Sequence, residues 1–524
     1  MYDYVIAGSG INALVAASML GLRGKKVLVL ERNDRIGGCI RTEEITAPGF
    51  KHDVMATTFV LFLLSPAYAV LGPELEKRGL SFAHPEIPTG VLLPSGESLV
   101  LRRDRALNVA AFDRLSVGDG QCFAGDMEML GKDAPFLFAL LGGSLWSPSM
   151  AKLFIKEAWH RGPRGLAAFF GEALTTALGW LESNYGSPLF HALLAPWVLH
   201  TGLGPESAYS GQMAKVIAFA LEAAGAPIIR GGAENILRAF ERFIGDHGGA
   251  IRTAADVTEI IVDEANRATG VMLASGEKIV AGMGVICSTT PSQLYGRLLA
   301  NHAASDPGRE RSRAFRHGKA NMQIHYALKA PPRWKNPELG KVALLHLSPG
   351  LDGVSKAANE AERGMLPTEP TICVGQPTAF DSSRAPEGKA ILWLQLPEMP
   401  RVIKGDAAGI IAVPPNGRWN EATREIYADR VELILVRHIA GFLKSVIARR
   451  CYSPADLETM NVNLVGGDPY GGYCGIDQFF LWRPFKSSIN HRTSINRLYH
   501  IGASTHPGPG LGGGSGYLLA KSLS

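Results

Sequence analysis

The sequence predicts an α/β chain: a parallel-sheet domain assembled from three separated stretches, with an α+β domain inserted between them. Three observations predict it. Asp3-Tyr4-Val5-Ile6-Ala7 is a short apolar strand that runs through Gly8-Ser9-Gly10 into an apolar helix, and a second strand, residues 26–30, ends in Glu31. At the far end, the apolar strand 498–503 enters a loop holding Gly508, Gly510, Gly512, Gly513, Gly514 and Gly516 before another apolar helix starts at Tyr517. Between them, residues 257–262 and 268–273 alternate as a hairpin, and residues 284–289 form one more buried strand.

Strand, glycine turn, helix, strand and acid in that order make the dinucleotide-binding fingerprint of a Rossmann-type unit. Gly8 permits the tight turn, and Gly10 lets the backbone come close to a pyrophosphate. Ala13 is small enough for the helix to lie near the sheet. The amides around Ile11 and Asn12 face the anion. Glu31 is placed to accept hydrogen bonds from a ribose diol. Arg32 follows at the edge of the same site; the adjacent carboxylate disfavours a 2′-phosphate, so Arg32 does not read NADP.

The residues after the second strand narrow the cofactor. Gly37 and Gly38 again offer bare backbone, and Arg41 can bring charge to the pyrophosphate. Ordering the C-terminal glycine run costs much conformational entropy, which fits a backbone that must lie against something flat. A flavin ring meets that need, and the following helix N-terminus favours negative charge on it.

The segment Arg35 to Thr42 resembles flavoproteins of the amine oxidase and phytoene desaturase superfamily. The run from Gly502 to Gly510 resembles the C-terminal flavin motif of its phytoene desaturase-like branch, which includes carotenoid desaturases. The resemblance implies FAD, held without a covalent bond. It assigns Gly502, Ala503, His506, Gly510, Gly512 and Gly513 to the flavin, and the backbone of Val257 to the adenine. It covers three blocks near both ends and the centre. The FAD-binding domain then takes residues 1–72, 225–300 and 488–524. The substrate domain takes 73–224 and 301–487, with an antiparallel or mixed sheet and apolar helices.

Composition agrees. A chain of 524 residues with 46% hydrophobic and 19% charged residues can bury large cores. The net charge of +5 is too small, and too scattered, to indicate nucleic acid. Cysteines 39, 122, 287, 373, 451 and 474 show no CxxC pair and no zinc spacing, so reduced thiols, no metal and a cytoplasmic protein are expected. The first strand is read from residue 2 or 3, so no leader is expected before it. No uninterrupted apolar run reaches membrane-spanning length. The apolar stretches near 59–64 and 134–154 are expected to be buried helices walling a pocket; the alternative is a peripheral patch that collects substrate from a bilayer. A homo-oligomer is compatible with the sequence.

The expected reaction takes a hydride from a lipophilic small molecule onto the flavin. No second glycine fingerprint follows a strand, so electrons are expected to leave to oxygen, a quinone or another acceptor rather than to arrive from a nicotinamide. His506 in the flavin loop and Asp477 in the glycine-rich stretch 466–478 are the candidate catalytic residues. Asp468, Gln478 and Arg483 lie near the same loop; Asp53 is expected to be structural. Cys474 sits where monoamine oxidases attach flavin, which leaves a covalent bond as an alternative. A flavin amine oxidase, a redox-neutral isomerase and a non-catalytic flavin-binding protein are the alternative functions.

Overall fold

The computed structural model describes residues 1–523, the side chain of residue 304 excepted. One seven-stranded sheet has a parallel core in the order Leu498–Ile501, Lys278–Ser288, Tyr2–Ala7, Val27–Leu30, Ala250–Arg252. Such a core is buried on both faces, which is why its strands are nearly all apolar. Strand Lys278–Ser288 does two jobs. Its second half is buried and runs parallel to the first strand, Val5 opposite Val285. Its first half alternates exposed and buried residues and pairs antiparallel with Ala268–Leu273. That strand pairs in turn with Val257–Val262, as the hairpin pattern predicts. All these strands lie within 1–72, 225–300 and 488–524.

Helix Ile11–Gly21 is buried along its whole length, so no polar face is needed. Helix Gly514–Ser522 lies directly on it. A Cβ added at Gly516 would sit 1.9 Å from the Asn12 carbonyl oxygen. The Gly516 amide also donates to Asn12 Oδ1 at 3.2 Å, joining residues 504 positions apart.

The second seven-stranded sheet is mixed. Its order is Val446–Tyr452, Ala320–Leu328, Ala390–Met399, Ile372–Gly375, Val342–Leu347, Ile87–Leu92, Ser98–Leu101, with Val342–Leu347 parallel to Ile87–Leu92 and the other pairs antiparallel. Strand residues alternate between faces. Met322, Ile324, Tyr326 and Leu328 join Leu392 and Leu394 against helix Glu421–His438, through its Tyr427, Val431 and Leu435. The opposite phase carries Asn321, Gln323 and His325, with Trp393 and Gln395 beside them on the next strand.

Helix Pro188–Leu199 covers part of that second face, packing with Val91, Leu344 and Trp393. Helix Asp119–Gly142 buries Phe123, Met127, Leu130, Phe136 and Leu137, as expected of a pocket wall. Helix Pro148–Ala173, broken at Gly162, departs from that expectation, with only Met150 buried. Lys152, Ile155, Lys156, Trp159 and His160 recur at helical spacing on its outer face, Trp159 being 91% exposed. Among the described residues no helix is long and apolar enough to cross a membrane.

A buried charge cluster ties the turn Ser382–Arg384, before strand Ala390–Met399, to the small strand pair Thr42–Glu43 and His52–Asp53. Arg384 is fully buried and reaches Asp53 Oδ2 at 2.5 Å through Nη2 and Asp53 Oδ1 at 3.1 Å through Nη1. Its Nε donates to Asp381, which also accepts the Gly231 amide. Asp53 accepts further from the Thr42 hydroxyl and the Ala233 amide. Asp53 is thus structural, as the sequence suggests. Removing one partner of such a pair leaves the other charge buried alone. Arg384→Met is expected to cost about 3–5 kcal/mol, seen as a lower urea midpoint; an unchanged midpoint contradicts this.

Candidate active site

A cavity of about 820 Å³ opens at the carboxyl ends of the parallel strands and extends to the polar face of the second sheet. Ligands of open α/β sheets bind at that end. Ala7, Gly8, Ser9, Gly10, Ile11 and Asn12 form part of its wall, together with Glu31, Arg32, Gly37 and Gly38.

The glycines differ in what requires them. Gly8 has φ +94°, and a Cβ there would meet the Ser288 carbonyl at 2.9 Å. Gly37 has φ +114°, with Leu237 Cδ1 at 2.5 Å. The protein's own backbone demands both. Gly10 has φ −64°, open to any residue, and a Cβ there would meet nothing within 4 Å. Its missing side chain leaves space in the cavity at the N-terminus of helix Ile11–Gly21. No side chain caps this helix, and no acid stands in its first turn. Open space against amides at a positive helix end fits a pyrophosphate. Gly38 closes on the same spot, its Cβ position 3.4 Å from Gly10 Cα.

Glu31 borders the cavity but also locks the turn. Oε2 accepts the Ser9 amide at 3.1 Å and the Ser9 hydroxyl at 2.6 Å, and Oε1 accepts the Asn33 amide at 2.9 Å. Ser9 Oγ accepts the Gly37 amide at 3.0 Å, so one serine ties both glycine motifs together. Ala13 is wholly buried beneath the turn. Val257 lines the cavity beside Asp256, which pairs with Arg297. Arg41 does not line it. The closer carboxylate of Glu43 takes its guanidinium, Nε to Oε1 at 2.8 Å.

From the C-terminal loop, Gly502, Ala503, Gly510, Gly512 and Gly513 line the cavity. His506 does not, which removes the geometric basis for a catalytic or flavin-contact role. Its Nε2 donates to the Gly143 carbonyl at 2.9 Å, fastening the loop to the end of helix Asp119–Gly142. Burial holds its imidazole down at about 4, so it is neutral near pH 7. His491 and His500 do similar work, donating to the His506 and Thr289 carbonyls.

Asp477 is also displaced from the cavity. It sits on an exposed turn, Ile476–Gln478, and pairs with Arg316. Asp468 accepts the Gly318, Tyr470 and Gly472 amides, and Arg483 donates to the Ala503, Tyr470 and Tyr473 carbonyls. These two groups shape the loop around Tyr470, whose ring does line the cavity. Cys474 is buried away from the lining, with its thiol pushed up to about 11 by burial.

Sequence reading passes over the opposite wall, made by Trp197, His200, Gln323, Trp393 and Gln395. The available signal was the polar phase of residues 321, 323 and 325 inside an otherwise apolar strand. His200 Nε2 lies 3.0 Å from His346 Nε2. With Cys373 they bring possible ligand atoms within 4.8 Å of one another, a grouping that sequence spacing does not reveal.

Because the fold does not need Gly10 to be glycine, Gly10→Val separates binding from folding. The variant is expected to keep its thermal midpoint within a few degrees while FAD affinity, by equilibrium dialysis, falls at least tenfold. Unchanged affinity contradicts the assignment of this space to the cofactor.

Residues 6–69 match the family described as NAD(P)-binding Rossmann-like domain. The chain is 28% identical to pyridine nucleotide-disulfide oxidoreductase domain-containing protein 2 of Rattus norvegicus, over 98% of this chain and 92% of that protein. It is 24% identical to phytoene desaturase (neurosporene-forming) of Rhodobacter capsulatus, over 99% and 93%. The structure of cyclohexylamine oxidase from Brevibacterium oxydans shares the fold, with a TM-score of 0.57 at 16% identity over 100% of this chain and 99% of that one. Over its whole length the chain is similar to phytoene desaturase-like oxidoreductases, its N-terminal part matches a Rossmann-like dinucleotide-binding domain, and its fold is that of cyclohexylamine oxidase.

Proposed function

We propose that the protein dehydrogenates a neutral, largely apolar small molecule held against non-covalently bound FAD, with electrons leaving to oxygen, a quinone or another acceptor. One observation carries this reading. A single cavity runs from the dinucleotide turn to the second sheet, and its acidic and guanidinium side chains, Glu31, Arg32, Asp256 and Arg297, all belong to the cofactor domain.

FAD supplies the hydride-accepting chemistry when bound. The chain supplies the environment. The uncapped helix at Ile11 offers amides and a positive end to the diphosphate. The loop 508–514 offers mostly bare glycine backbone, interrupted by Pro509 and Leu511, and is held by His506 and Arg483. Leu61, Phe138, Leu141 and Phe479 give the cavity apolar lining that excludes water. Cys474 lies off the cavity with a thiol that burial keeps protonated, which supports non-covalent attachment.

A protonated amine would find no carboxylate on the second-sheet wall, which weighs against amine oxidation. The test is anaerobic addition of apolar alicyclic and isoprenoid compounds to the FAD-loaded protein, followed by flavin absorbance. Bleaching by at least one such compound is expected. Peroxide release with amines, and no bleaching by neutral compounds, would overturn the reading.

A further inference from the structure

The substrate-side wall of the cavity is not apolar, although one whole face of the strand that carries it is. On strand Ala320–Leu328 the apolar phase faces helix Glu421–His438, and the other phase sets Gln323 on the cavity. Gln323 is fully buried, and both its amide atoms lack a hydrogen-bond partner. Gln395 stands opposite it in register, half-buried and also on the cavity. Trp393, two residues before Gln395 on the same face, is 4% exposed, and its Nε1–H has no partner either.

Buried polar groups in folded proteins are almost always paired, and an unpaired one is costly. Here three such atoms belong to two residues, on adjacent strands, that line one cavity. A pure hydrocarbon filling this space would exclude water and offer these atoms nothing. The occupant must therefore bring a polar atom of its own. This wall presents no aspartate, glutamate, lysine or arginine to pair with a charged group, so the polar group is uncharged. The indole N–H only donates, so that group must accept; the Gln323 amide can both donate and accept. A hydroxyl or ketone oxygen meets these requirements.

We propose that the substrate is a largely apolar molecule bearing one neutral oxygen function, a hydroxyl or a ketone, which Gln323 and Trp393 select. The proposal rests on the reading that this cavity holds the substrate. Gln323 and Trp393 are specificity-determining residues here, with no part in the hydride step.

The test uses FAD-loaded protein with p-menthane, menthol and menthone, which share one carbon skeleton. Dissociation constants come from quenching of protein fluorescence. The informative quantity is the affinity of each oxygenated probe relative to the hydrocarbon, because this ratio cancels the shared apolar contribution. Gln323→Leu and Trp393→Phe are each expected to shift that ratio at least tenfold towards the hydrocarbon. Gln323→Leu replaces a buried unpaired amide with an apolar group of similar shape, so its thermal midpoint should hold or rise; Trp393→Phe also gives up ring volume in a packed site, so its midpoint should fall, and the affinity ratio is its readout. An unchanged ratio in both variants, or no binding of any probe to the parent protein, overturns the proposal. A shifted ratio with no flavin bleaching by any neutral compound would instead sink the dehydrogenation reading and leave this one standing. An unchanged ratio with bleaching intact would sink this one alone.

Discussion

A guanidinium with no access to water holds the two halves of this protein in register. Arg384 stands just before strand Ala390–Met399 of the second sheet, and Asp53 lies 331 residues away in the N-terminal part of the chain. The pair is bidentate, and each partner is also tied to backbone: Asp53 to the Ala233 amide, Arg384 to the Lys51 carbonyl. Asp381 extends the cluster to the Gly231 amide. A pair this deeply buried tolerates little sliding, because displacement would strand a charge in a low-dielectric interior. The cavity lies between the two sheets. Its shape is therefore set in part by a contact that touches neither cofactor nor substrate.

Within that frame, glycine does two kinds of work. Gly8, Gly37, Gly510 and Gly513 take backbone angles or close contacts that the protein itself imposes. Gly10 is unstrained and faces open space in the cavity, so nothing within the polypeptide requires it. This contrast ties the strand-turn-helix start to a ligand by geometry, where the motif alone would do so only by analogy. The far wall adds a complementary signal. There the protein presents unpaired polar atoms instead of missing side chains, and both features describe the shape and chemistry of something bound.

Local pattern made the cofactor half legible. The strand, the glycine turn, Glu31 and the hairpin at 257–273 are short-range features with fixed spacing, and they appear where sequence places them. The substrate half was less so, for a physical reason. Position in a loop does not say which way a side chain points. His506 and Asp477 sit in suggestive loops, yet one turns to the Gly143 carbonyl and the other to Arg316. Arg41 likewise finds Glu43 two residues on. Ser9 was hidden because its role depends on Glu31 and Gly37, both distant in sequence. Gln323 was visible only as a polar phase in an apolar strand, and its meaning required the cavity beside it.

We propose that one cavity takes FAD along its cofactor wall and the substrate along its sheet wall. A crystal structure of the protein grown with FAD tests this most directly. The diphosphate is expected at the N-terminus of helix Ile11–Gly21, beside Gly10, and the flavin ring against the loop 502–514. Folded protein with that space closed, or with the nucleotide bound elsewhere, would contradict it.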